Sequence, residues 1–199
     1  MGFLDAHLGV SGEPFARFEP AASSPLLKQA FSCLIAMGLA EKNAPSAGAA
    51  LGWTREELFE IALRFAPETL ATLTQQPQPE EITFDEEEEQ LRALLERCRG
   101  DDSRETQWLI GALARRSLCA NHLWQDLGFP SRDLLNELMR ERFPPLAARN
   151  AHNMKWKKFF YRCLCELEGF TLCAAPSCAE CADYAACFGE ETGLARVWI

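Results

Sequence analysis

Apolar side chains recur at intervals of three and four residues almost everywhere along the chain, and the strict alternation of a half-buried strand is hard to find. The pattern predicts an all-α protein, an irregular helical bundle. A first helix is expected from Pro25 to Lys42, with Leu27, Phe31, Leu34, Ile35 and Leu39 facing the core and Asn43 and Pro45 stopping it. The small residues of Ser46–Gly52 read as a connection. Thr54 followed three residues later by Glu57 reads as a capping box, in which each side chain satisfies an amide left open at a helix start, and this helix runs to about Phe65. Residues 75–84, with Pro77 and Pro79, form a polar linker and the best candidate boundary. Asp85 caps the next helix, which puts Leu91, Leu94, Leu95 and Cys98 on one face, with Gly100 as a left-handed stop. A long helix is predicted from Ser103 to Leu127, ended by Gly128, and another from Ser131 to Phe143, broken by Pro144-Pro145. The last runs from Asn153 to Gly169. It buries Trp156, Phe159, Phe160, Cys163, Leu164 and Leu167 and exposes Lys155, Lys157, Lys158 and Arg162. Glycines, prolines and paired serines make residues 1–24 an irregular tail. The organisation expected is this tail, a helical domain over 25–172, a cysteine-rich loop over 173–187 and a C-terminal tail over 188–199.

That loop carries the chemistry. Cys173, Cys178, Cys181 and Cys187 follow the spacing Cys-x4-Cys-x2-Cys-x5-Cys, directly after the last helix. Four thiolates so close together select soft metals: zinc, Cu(I) or an iron–sulfur centre. The x2 interval lets a tight turn aim two sulfurs at one centre, and the outer intervals let the other two wrap round it. Four-thiolate chemistry suits both tetrahedral zinc and an iron–sulfur cluster. The spacing favours the cluster. Only one Cys-x2-Cys knuckle is present, where zinc ribbons pair two, and the first three cysteines reproduce the Cys-x4-Cys-x2-Cys element of plant-type ferredoxins.

Composition narrows the setting. The 199 residues are 48% hydrophobic, enough for one core without disulfides. No leader and no bilayer-length apolar run is visible, so a soluble, cytoplasmic protein with no membrane partner is expected. Nine cysteines, an odd number, then read as reduced thiols and metal ligands. A net charge of −9 and pI near 4.9 argue against nucleic acid. The acidic run Glu80, Glu81 and Asp85–Glu89 reads as a solvated helix start. Residues 140–162 hold seven Lys or Arg against one acid, Glu141, a local charge of +6. No nucleophile motif with a plausible base supports turnover catalysis.

The run FPPLAARNAHNMKWKKFFYRCLCELEGFTLCAAPSCAECADYAACFG, with NHLWQDLG upstream, resembles the NifQ family, most closely between Trp108 and Gly189. The resemblance implies a cytoplasmic iron–sulfur molybdoprotein that provides molybdenum for assembly of the nitrogenase iron–molybdenum cofactor in nitrogen fixation. It implies that Cys173, Cys178, Cys181 and Cys187 hold the cluster, and that the partners are nitrogenase cofactor-assembly scaffold proteins. On this reading molybdate is captured near cationic groups and its molybdenum enters a sulfur-bridged Mo–Fe–S cluster. The basic face of Lys155, Lys157, Lys158 and Arg162 would attract molybdate and an acidic partner, against the simpler reading that these charges decorate a solvated surface. His122 and His152 are further candidate ligands, against a purely structural role, and Cys165 is a candidate accessory thiol. Cys33, Cys98, Cys119 and Cys163 read as core. Two rivals remain at this level: an iron–sulfur electron carrier and a zinc-stabilised interaction module.

Overall fold

A computed structural model describes residues 24–169 and 178–197. The expected N-terminal tail therefore lies almost wholly outside the described residues, as do Cys173 and the segment that carries it. Among the described residues every regular element is helical, as the periodicity predicts. The α-helices are α1 (Pro25–Ala40), α2 (Ala47–Leu51), α3 (Arg55–Phe65), α4 (Leu70–Leu73), α5 (Glu86–Arg97), α6 (Arg104–Ser117), α7 (Leu123–Asp126), α8 (Arg132–Arg142), α9 (Pro144–Arg149), α10 (Trp156–Leu167) and α11 (Tyr184–Phe188). No helix is long and apolar enough to cross a membrane among these residues.

Helix α1 is the centre. The Ser24 hydroxyl accepts from the Leu27 amide and Pro25 opens the first turn, where its missing N–H costs nothing. The helix packs against α2, α3 and α8. Phe31 stacks on Phe65 at a centroid distance of 4.5 Å and meets the Trp108 ring edge-on at 5.9 Å, while the Trp53 indole donates to the Trp108 carbonyl at 2.8 Å. Three helices and a connection thus share one aromatic cluster, with the Trp53 indole N–H satisfied.

The local signals hold where a cap and an apolar stripe coincide. Thr54 and Glu57 form the reciprocal capping box. Asp85 accepts from the Glu88 amide at 2.9 Å to open α5. Elsewhere the structure departs from the pattern. The Ser46–Gly52 connection contains a helix, capped by Ser46 and ended by left-handed Gly52. Gly100 is not left-handed. Its amide donates to the Arg142 carbonyl at 2.7 Å, and a Cβ there would meet Pro144 at 2.9 Å, so close packing accounts for this glycine. Pro144-Pro145 ends α8 as expected but also starts α9, since proline is preorganised for a first turn. The acidic start of α5 is mostly solvated, yet Glu88 is buried between Arg92 and Arg115, at 2.8 and 2.6 Å. Residues 75–84 have no regular structure but are fastened down. The buried Gln78 amide accepts from Gly48 N, Pro79 O accepts from Arg55 N, and Thr83 O accepts from Arg115.

The single long helix expected over Ser103–Leu127 is two helices, α6 and α7, with a break at 118–122. The cause is a buried carboxylate. Asp126 is 0% exposed and accepts from the Asn121 amide at 3.0 Å and the Asn121 side chain at 2.9 Å, which pulls the chain out of helical register ahead of α7. Asp126 also receives Lys157 of α10 at 2.6 Å and Arg196 of the C-terminal segment at 2.9 Å. Arg116 bonds the Asp126 carbonyl and the Glu41 carboxylate, and Arg196 reaches Glu41 as well. Burial pushes the Glu41 carboxyl up, but the hydrogen bonds from Arg116 and the Asn43 amide, with the charges of Arg116 and Arg196, hold it below the usual range. One node therefore joins the end of α1 to α6, α7, α10 and the C-terminus.

Candidate metal centre

Helix α10 delivers the chain to the cysteine loop. It begins two or three residues later than expected: Asn153 takes a left-handed φ of 56°, and α10 starts at Trp156. The Trp156 indole donates to the Asn136 side chain at 2.7 Å, and Trp156, Phe159, Phe160 and Cys163 are buried. Leu164 is only partly covered. Leu167, expected in the core, is 56% exposed, because the last turn of α10 runs past the packed body before left-handed Gly169 ends it.

The described chain resumes at Cys178. Residues Cys178–Glu180 form a 3-10 turn in which Cys181 N reaches Cys178 O at 3.3 Å, and Tyr184 N reaches Cys181 O at 3.2 Å. Helix α11 carries Cys187 and is pinned to the foot of α10. Lys155 N donates to Cys187 O at 2.8 Å, Lys155 Nζ donates to Ala185 O at 3.2 Å, and Cys187 and Phe188 rest on the core. Beyond α11 the chain is docked rather than loose: Glu191 sits 3.3 Å from Arg132, and Leu194 O accepts from Gln125 at 3.1 Å.

Cys178, Cys181 and Cys187 are each half-buried, and Arg162 Nη1 approaches Cys178 Sγ at 4.0 Å. The guanidinium places a positive charge beside this sulfur. The cysteines expected in the core behave differently. Burial pushes the Cys33 thiol up to about 11 and raises Cys98, Cys119 and Cys163 as well, which keeps all four as neutral thiols. Cys33 and Cys163 are fully buried, whereas Cys98 and Cys119 are half-buried. The described donors of the loop, partly exposed sulfurs with a cation beside Cys178, fit a soft metal centre in their chemistry. Among the described residues no three His, Cys, Asp or Glu side chains converge as a metal site, and Cys173 lies outside those residues.

A cleft of about 470 Å³ opens beside Cys178, walled by Arg149, Asn150, His152, Met154, Phe159, Arg162, Glu166, Tyr184 and Phe188. It brings His152 and Arg162 to Cys178. His122 lies elsewhere, at the start of α7, with Nδ1 3.6 Å from the Glu191 carboxylate. Cys165 is half-buried on α10 and does not line the cleft.

The expected basic face divides: Lys155, Lys157 and Lys158 line one hollow of about 530 Å³ together with His122, while Arg162 faces the cleft beside Cys178. Lys157 turns inward to Asp126 and to the Cys119 carbonyl, both at 2.6 Å, and burial pushes its ammonium down. Lys155 is half-buried against α11, Lys158 is exposed, and Arg162 faces the cleft. The helical wheel places Lys157 on the polar side of α10, and only the fold reveals that α7 presents a carboxylate there. Sequence reasoning also missed Arg149, which reaches the cleft from α9. Its signal was the +6 segment, in which it was counted but not singled out.

The NifQ family model matches residues 30–189, from α1 to the end of the cysteine loop. The chain is 38% identical over 178 residues to Protein NifQ of Rhodobacter capsulatus, covering 87% of this chain and 97% of that protein. It is 39% identical over 166 residues to a Protein NifQ homolog of Sinorhizobium fredii, covering 82% and 72%. With Protein NifQ of Azotobacter vinelandii it shares 47% over 111 residues, 56% of each chain. No solved structure matches. On the family match across most of its length, the chain belongs to the NifQ family.

Proposed function

We propose that this chain is an iron–sulfur protein that takes up molybdenum and donates it for assembly of the nitrogenase iron–molybdenum cofactor, with Cys173, Cys178, Cys181 and Cys187 holding the cluster. Family membership supports the role in nitrogen fixation and cofactor assembly. The observation that supports the site is the setting of the described cysteines: Cys178, Cys181 and Cys187 are partly exposed and Cys178 faces a guanidinium, while Cys33 and Cys163 are buried in the core and held as neutral thiols. When bound, the cluster supplies the sulfide ligands that molybdenum needs on leaving the hard oxygens of molybdate. The chain's own part is to present the sulfurs, to fix the distal half of the loop on α10 through Lys155, and to keep a cation beside Cys178. Its action is stoichiometric, a transfer of cargo to a scaffold protein, in the reducing cytoplasm where the thiols stay free.

The test is metal analysis of anaerobically prepared protein after iron and sulfide supply. Iron, acid-labile sulfide and thiolate-to-iron absorption are expected. A colourless protein with one zinc and no sulfide would replace this reading with a zinc-stabilised module.

A further inference from the structure

We propose that the cleft between α9, α10 and α11 binds a tetrahedral oxyanion through Arg149, Arg162 and His152, with Glu166 as the counterion that the incoming anion displaces. Naming molybdate as that oxyanion rests on the proposed function; the site itself does not. Arg149 and Arg162 converge on a single carboxylate, Glu166, at 2.9 and 2.8 Å. One acid shared by two guanidiniums leaves the pair with surplus positive charge. Both are half in solvent, at 47% and 42% exposure, so an anion can reach them without first paying to desolvate them. The planar guanidinium fork matches the paired oxygens of an oxyanion better than an ammonium does.

The surroundings are built for the same task. Asn150 is buried, and its side chain both donates to Met154 O at 2.9 Å and accepts from Met154 N at 2.8 Å. That pair of bonds closes the 150–154 loop and presents His152 at the cleft. Phe159 and Phe188 form apolar walls, which strengthen electrostatic attraction relative to open water. The volume, about 470 Å³, leaves room for an oxyanion that keeps part of its hydration. Arg162 contacts Cys178 Sγ as well, so an anion held there lies next to a sulfur of the proposed cluster loop. Lys157 is committed to Asp126 and Lys155 to Ala185 O, and neither they nor Lys158 lines this cleft.

The test is titration calorimetry of sodium molybdate into the anaerobically prepared full chain, with sodium sulfate in a parallel arm and iron and sulfide measured on each sample. The Arg149→Gln/Arg162→Gln double variant is expected to weaken molybdate binding about tenfold or more, the scale of losing charge-assisted hydrogen bonds. Glu166→Gln is expected to tighten it, because the competing carboxylate is gone; a merely structural Glu166 would not do this. Lys158→Gln should leave binding within about twofold, as for a solvated charge outside the cleft. Absence of binding by wild type, wild-type affinity in the double variant, or weaker binding in Glu166→Gln would each overturn the proposal. Sulfate binding as tight as molybdate would keep the oxyanion site and remove molybdate as its particular ligand. Wild type that holds iron and sulfide but no molybdate would refute the cleft and leave the cluster reading standing. Protein without iron or sulfide whose molybdate binding disappears in the double variant would do the reverse.

Discussion

Serine at any of Cys173, Cys178, Cys181 or Cys187 is expected to abolish or change the iron–sulfur absorption and to lower iron and sulfide content, while leaving the helical circular dichroism intact. The described loop cysteines contribute little to the core: Cys178 and Cys181 lie outside it, and Cys187 only borders it. Alanine at Cys33 or Cys163 should do the opposite. Those side chains fill the interior of α1 and α10, so their loss should cost about 1–3 kcal/mol of stability and leave the metal content unchanged. The neutral form imposed on them by burial is a poor ligand, and removing it removes no donor. Cys178 is the most informative single position, because Arg162 also touches it. Equal loss of iron from folded Cys163→Ala would show that the ligand set had been drawn in the wrong place.

The second large effect lies at Asp126. Its carboxylate is fully buried and receives Asn121, Lys157 and Arg196. Asp126→Ala strands the Lys157 ammonium inside the fold, and breaking one side of a buried ion pair costs about 3–5 kcal/mol. Urea unfolding should therefore show a midpoint far below that of wild type. Replacing both partners, as in Asp126→Leu/Lys157→Met, should recover much of the loss, since no buried charge is then left unpaired. A single-variant cost below about 1 kcal/mol, the scale of a surface pair, would mean that water reaches the node. The same variant should loosen the cysteine loop, because Lys157 fixes α10 and Arg196 fixes the chain beyond α11.

The parts of this fold legible in sequence are those decided within a few residues. Thr54 and Glu57 meet because they are three apart on a helix start, and Asp85 caps for the same reason. The all-helical class follows from apolar spacing summed over the chain. What the pattern could not show was decided across the fold. The break between α6 and α7 depends on the bonds Asp126 makes at a buried position, and both flanking helices bury apolar residues, so the stripe runs through the gap unbroken. Lys157 reads as solvent-facing until α7 is placed beside it. Leu167 continues the apolar spacing of α10, but the core ends before it does. At the site, the four-cysteine spacing was visible at once. The cleft was not, because Arg149 and Glu166 are seventeen positions apart and meet only when α9 folds against α10.

Donation itself is tested most directly by following the metal. Protein loaded anaerobically with molybdenum would be mixed with a nitrogenase cofactor-assembly scaffold, the two separated, and molybdenum on each measured by mass spectrometry, with Cys178→Ser as the control. The account predicts that molybdenum moves to the scaffold faster than it is released into buffer alone, and that the Cys178→Ser protein delivers little. Transfer no greater than release without the scaffold would contradict it and leave a protein that keeps its cluster, as an electron carrier does.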